Sequence, residues 1–141
     1  MSESYRYFTE NMEALGLPAP ESLFGTTKEG ASNATVMLAY IEKFGPRVTI
    51  RELIGAGTRL EALATVSSMY ASYYVGAVIG SLAVAAGRSL GRGASLADVL
   101  ATAHRYELDR PWLELTLRHW RTIYDTRALA RDLTRSRMLT A

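Results

Sequence analysis

The sequence predicts an all-α fold, a compact bundle of about six helices around a central uncharged helix spanning about 58–87. Three observations carry this. Apolar residues recur at spacings of three and four along most of the chain. No stretch sustains the period-two alternation of β-branched residues that a half-buried strand requires. Hydroxyl caps and Gly/Pro breakers punctuate the chain at helix-sized intervals.

Tyr5, Phe8, Met12 and Leu15 form the apolar face of a first helix, which Gly16, Pro18 and Pro20 end. Residues 17–31 are rich in breakers and lack periodicity, so a loop is expected there, with Leu23 and Phe24 anchoring it to the core. Val36, Met37, Tyr40, Ile41 and Phe44 mark a second helix, capped near Ser32 or Asn33, which stops at Gly45-Pro46. Two capping boxes follow, Thr49 with Glu52 and Thr58 with Glu61, separated by Gly55-Ala56-Gly57. They predict a short third helix, a bend, and a long fourth helix to about Gly87. Ser95 and Asp98 open a fifth helix with Leu96, Val99, Leu100, Ala103 and Leu108 at core spacing. Asp109 and Pro111 open a sixth, which carries Leu113, Leu117, Trp120 and Tyr124 inward and extends toward Arg137. Residues 127–141 read as a frayed basic end to it.

A length of 141 residues predicts one domain, 1–141, with one core. Cysteine is absent, which excludes disulfides and thiolate metal sites. The first residues show neither the basic n-region nor the apolar run of a secretory signal, so a cytoplasmic location is expected. All basic residues except Lys28 and Lys43 are arginine; together with the many alanines and glycines this points to a GC-rich bacterial genome.

No charged residue occurs between Ala62 and Gly87. Such a helix is either the buried centre of a bundle or a membrane span. Thr65, Ser67, Ser68, Tyr70, Ser72, Tyr73 and Tyr74 dilute its first half, and the amphipathic neighbours need something to cover, so the buried centre is preferred. Ser72, Gly76 and Gly80 share one face as a small-xxx-small groove, which invites close approach of another helix, from the same chain or from a second copy in a homodimer. Tyr70 and Tyr74 are expected on another face.

His104 and Glu107 lie three apart, and His119 is the only other histidine, so these three form the polar cluster in which acid–base or metal chemistry would be sought. Neither the spacing nor any recognised motif supports a catalytic, metal or cofactor site. His119 is expected at the edge of the core, bonded to backbone or a tyrosine. The run Gly87 to Gly93, with Arg88 and Arg92, lacks the preceding strand and the Lys-Ser/Thr ending of a phosphate loop. Arg127, Arg131 and Arg135 recur every four residues as a basic edge that could follow phosphates, but a solvated helix face explains it as well.

Val48 to Leu53, with the glycine bend and new helix after it, resembles the opening of a helix-turn-helix DNA-binding unit. The resemblance covers that short segment alone. Beyond Arg59 the segment that would read bases lacks the Arg, Lys, Asn or Gln that contact base edges, so nucleic acid is a disfavoured partner. By elimination, the expected role is a non-enzymatic bacterial module that binds another protein as adaptor, regulator or neutralising partner. The alternatives are a conditionally membrane-inserting or membrane-associated helical protein, then a small enzyme with a dispersed site or a DNA-binding protein.

Overall fold

The computed structural model describes residues 3–125. Among them the chain forms α1 (Glu3–Ala14), α2 (Glu21–Phe24), α3 (Thr27–Phe44), α4 (Ile50–Gly55), a 3-10 segment (Glu61–Val66), α5 (Ala71–Ser89), α6 (Leu96–Arg105), α7 (Leu113–His119) and a 3-10 turn (Arg121–Ile123). The class is all-α, as the helical spacing predicts.

α5 is the hub. Every residue from Ala71 to Gly87 except Ser72 and Ala86 is buried. The other elements lie around it: α1, α3, α6, α7 and the turn Arg121–Ile123 all pack on α5. A helix apolar on all sides needs that coat, and each coat helix supplies one apolar stripe. From α1 and the turn after it come Phe8, Met12 and Leu15, from α3 Ala34, Met37, Leu38 and Ile41, and from α7 Leu113 and Leu117. Phe8, Phe24 and Tyr74 form an aromatic cluster joining α1, α2 and α5, with ring centroids 5.7 and 6.2 Å apart.

Four helices end in the same way. After α1, α4, α5 and α6 a residue at positive φ (Gly16, Gly57, Gly91 and Glu107) closes a Schellman turn. In each, the amide one residue further on bonds back to a carbonyl five residues earlier: Leu17 to Met12, Thr58 to Leu53, Arg92 to Gly87 and Leu108 to Ala103. Capping boxes open α4 (Thr49, Glu52) and α6 (Ser95, Asp98), as the sequence predicts.

Boundaries differ from expectation at three places. The breaker-rich stretch 17–31 holds α2 and the start of α3, which begins at Thr27 because Thr26 accepts the Glu29 amide as N-cap. Asn33 is inside that helix, its amide donating to the Leu23 carbonyl at 2.6 Å and tying α2 down. Leu23 and Phe24 are buried, the anchoring role expected of them.

The central helix starts at Ala71, not near Thr58. Thr58 is buried and donates its hydroxyl to the Leu53 carbonyl at 2.6 Å, so it closes α4 instead of opening a new helix. The residues after it are claimed by tertiary bonds: the Ile50 and Arg51 amides, orphaned at the start of α4, donate to the Met69 and Ser67 carbonyls, and the Ala71 amide donates to Val48. These bonds hold the turn 67–69 and the extended Tyr70 beside Val48–Thr49, with an isolated antiparallel bridge between Thr49 and Tyr70.

The last helix begins at Leu113, after Asp109 and Pro111, and gives way at Trp120 to the turn Arg121–Ile123. Its expected extension toward Arg137 lies outside the described residues.

Candidate functional site

The small-residue face of α5 is filled from within the chain. A Cβ on Gly76 would meet the Thr116 methyl at 3.5 Å and Ile123 at 3.7 Å, and a Cβ on Gly80 would collide with the Ile123 side chain. The close approach that the two glycines predict is therefore made by α7 and the turn that follows. Ser72 donates to the Pro46 carbonyl at 3.1 Å. Beside this face, the buried Asn11 amide donates to Ser81 Oγ at 2.8 Å and to the Ile123 carbonyl at 3.1 Å.

His104 and Glu107 are not brought together. His104 lies at the end of α6 with 86% of its side chain exposed, Nδ1 3.9 Å from Asp109 Oδ2. Glu107 occupies the left-handed position that closes α6, at φ 59°. His119 is exposed rather than at the core edge, its ring edge-on to Trp120 with centroids 4.5 Å apart. Among the described residues no group of three or more His, Asp or Glu could hold a metal ion. No helix among them is long and apolar enough to cross a membrane. Arg127, Arg131 and Arg135 lie outside the described residues.

The Gly87–Gly93 run is a helix stop. A Cβ on Gly87 would press on the Arg92 and Gly93 carbonyls, each 2.9 Å away. Its arginines are held by acids of the chain: Arg88 pairs with Glu10 and lies over the Tyr7 ring at 4.1 Å, and Arg92 pairs with Asp98 at 3.3 Å. Hydrogen bonds from the Ser95 backbone and hydroxyl, then Arg92, hold the Asp98 carboxyl below its ordinary value. An open cleft of about 560 Å³ lies between these groups and Asn11.

No protein-family model, no curated protein and no solved structure matches this chain. The surface itself must then carry any functional reading.

Leu90, just past α5, and Leu115, on α7, are the most exposed large apolar side chains, each standing apart from the other; the exposed aromatics lie at the C-terminal end of α3 and at the start of α5. Phe44 is 52% exposed, Tyr70 48% and Val36 43%. Tyr40 stacks on Phe44, ring centroids 5.8 Å apart at 23°, and Lys43 Nζ lies 5.3 Å over the Phe44 ring. The short connection from Gly45 to Thr49 joins Phe44 to Tyr70: Ser72 bonds to Pro46, Thr49 bridges Tyr70, and Ala71 bonds to Val48. Exposed apolar and aromatic side chains thus stand on a helix end and a bonded junction, not on a free loop. Helical spacing marks Val36, Tyr40 and Phe44 as part of one helix without saying which of them the core covers. α3 carries more apolar residues than one face can bury: Ala34, Met37, Leu38 and Ile41 fill the face toward α5, Tyr40 packs half-buried at its edge, and Val36 and Phe44 are left exposed. That surplus was the available signal.

Proposed function

We propose that this chain is a non-enzymatic bacterial protein-binding module, an adaptor, regulator or neutralising partner, that engages another protein through the aromatic end of α3. The observation that carries the reading is the pair Phe44 and Tyr70, both about half exposed and both fixed by the Gly45–Thr49 junction. Rigid aromatic side chains lose little conformational freedom on binding and contribute much contact area, which is why they recur as interface hot spots. The occupied Gly76/Gly80 face supports looking for a partner here instead of on α5. The solvent-facing positions of His104 and His119 support a role other than acid–base chemistry. The arginine-for-lysine bias supports a bacterial origin.

Affinity capture from the native host tests this. Wild type is expected to retain a partner that a Phe44→Ser/Tyr70→Ser double variant with an unchanged circular dichroism spectrum loses. Equal recovery by both would remove the proposed surface. A folded His104→Ala variant is expected to bind as wild type does; its loss of function would point to chemistry at α6 instead.

A further inference from the structure

Resting on that reading of α3, we propose that the partner segment is acidic: apolar side chains cover Phe44 and Tyr70 while its carboxylates pair with Lys43 and Arg47. Arg88, Arg92, Arg110 and Arg118 each hold a carboxylate of their own chain. Lys43 and Arg47 are exposed and hold none among the described residues; Arg6, Lys28, Arg51, Arg59, Arg105 and Arg121 hold none either, but Lys43 lies over the Phe44 ring and Arg47 belongs to the junction between Phe44 and Tyr70. The acids nearest them in sequence are committed elsewhere: Glu42 is taken by Arg110, and Glu52 by the Thr49 cap.

Lys43 over the Phe44 ring and Arg47 in the Gly45–Thr49 junction thus have no carboxylate partner among the described residues. Covering Phe44 strips water from Lys43, whose ammonium lies over that ring. Removing water from a cation is favourable only when the incoming surface supplies an anion or equivalent acceptors, so the patch selects against neutral or basic segments. Arg47 adds a planar fork that a carboxylate can accept bidentately. The aromatic pair supplies contact area and the cations supply the choice of partner.

The test uses the full chain, labelled with 15N, and two synthetic amphipathic helical peptides sharing one leucine face, one with glutamates and the other with lysines on the polar face. The glutamate peptide is expected to shift the amides of Tyr40–Thr49 and Tyr70 saturably. Binding should weaken roughly tenfold in a Lys43→Glu/Arg47→Glu variant and with rising salt. A Lys43→Gln/Arg47→Gln variant gives the same reading if charge reversal disturbs folding. Should the lysine peptide bind equally well, or charge removal change nothing while Phe44→Ala weakens binding, the acidic preference falls and the docking surface stands. If neither peptide shifts these amides, both fall. Shifts at the same amides with phosphatidylserine vesicles but with neither peptide would assign the patch to an anionic membrane surface and overturn the proposal.

Discussion

Glu107 holds a backbone angle that glycine holds in the other three Schellman turns, φ 59° against 75° for Gly16, 95° for Gly57 and 75° for Gly91. A side chain in this region costs about 1–2 kcal/mol, partly offset because glycine loses more freedom on folding. Glu107→Gly is therefore expected to raise stability by up to about 1 kcal/mol, read from a urea midpoint; a lower midpoint would mean that Glu107 makes contacts that outweigh its strain. The two α5 glycines should respond in opposite senses. Alanine at Gly76 makes only ordinary contacts and gains about 1 kcal/mol of helix propensity. At Gly80 it must displace Ile123, so a loss of about 1–3 kcal/mol is expected. Ile123→Ala, which removes the Cγ2 methyl that the new Cβ would strike, should relieve part of that loss in a double-mutant cycle, and strict additivity would refute the predicted collision. Tyr74 also has a single role: its hydroxyl donates to the Pro18 carbonyl at 2.6 Å, and burial pushes the phenol well above its ordinary value, so it remains a neutral donor.

Among elements, α6 shows how much of a helix is set at its first turn. Ser95 and Asp98 satisfy each other's orphan amides, and the Asp98 carboxylate accepts from the Ser95 backbone at 2.8 Å. Because the folded-state value of Asp98 is lowered, its contribution is present above the ordinary carboxylate value of 3.8 and is lost as pH falls through the lower folded value. Asp98→Asn should flatten the acid limb of the stability curve. An acid limb as steep in the variant as in wild type would assign that dependence to other groups. The segment 58–70 shows the opposite case, in which local propensity loses. Its hydroxyl-bearing residues favour a helix weakly, and the bonds from Ile50 and Arg51 to this stretch, with that from Ala71 to Val48 at its end, outcompete it.

At the scale of the molecule, one buried side chain joins the chain's beginning, middle and end. Asn11 on α1 donates both to Ser81 on α5 and to the carbonyl of Ile123, across 70 and 112 positions. Asn11→Ala would leave both acceptors buried without that donor, at a cost of about 1–3 kcal/mol each before relaxation. The expected result is a clear loss of global stability. It should come with faster hydrogen exchange in Ile123 and Tyr124 than in α5, since the last turn rests on this bond and the Gly80 contact. Uniform protection across the variant would contradict the tie.

Much of the fold was legible in the sequence because its signals are local. Helical spacing fixed the class, the Thr49/Glu52 and Ser95/Asp98 boxes fixed two helix starts, and the run without charge from Ala62 to Gly87 located the core helix within one element. The candidate site was less legible. Spacing placed His104 beside Glu107, but the Schellman turn swings Glu107 out of the helix, and periodicity alone could not say which of α3's apolar residues lack a neighbour. The start of α5 at Ala71, the Ile123 side chain against Gly80 and the exposed Phe44–Tyr70 patch were decided by tertiary structure alone. Each depends on residues far apart in sequence competing for the same hydrogen bond or the same volume, and short-range pattern carries no record of that competition.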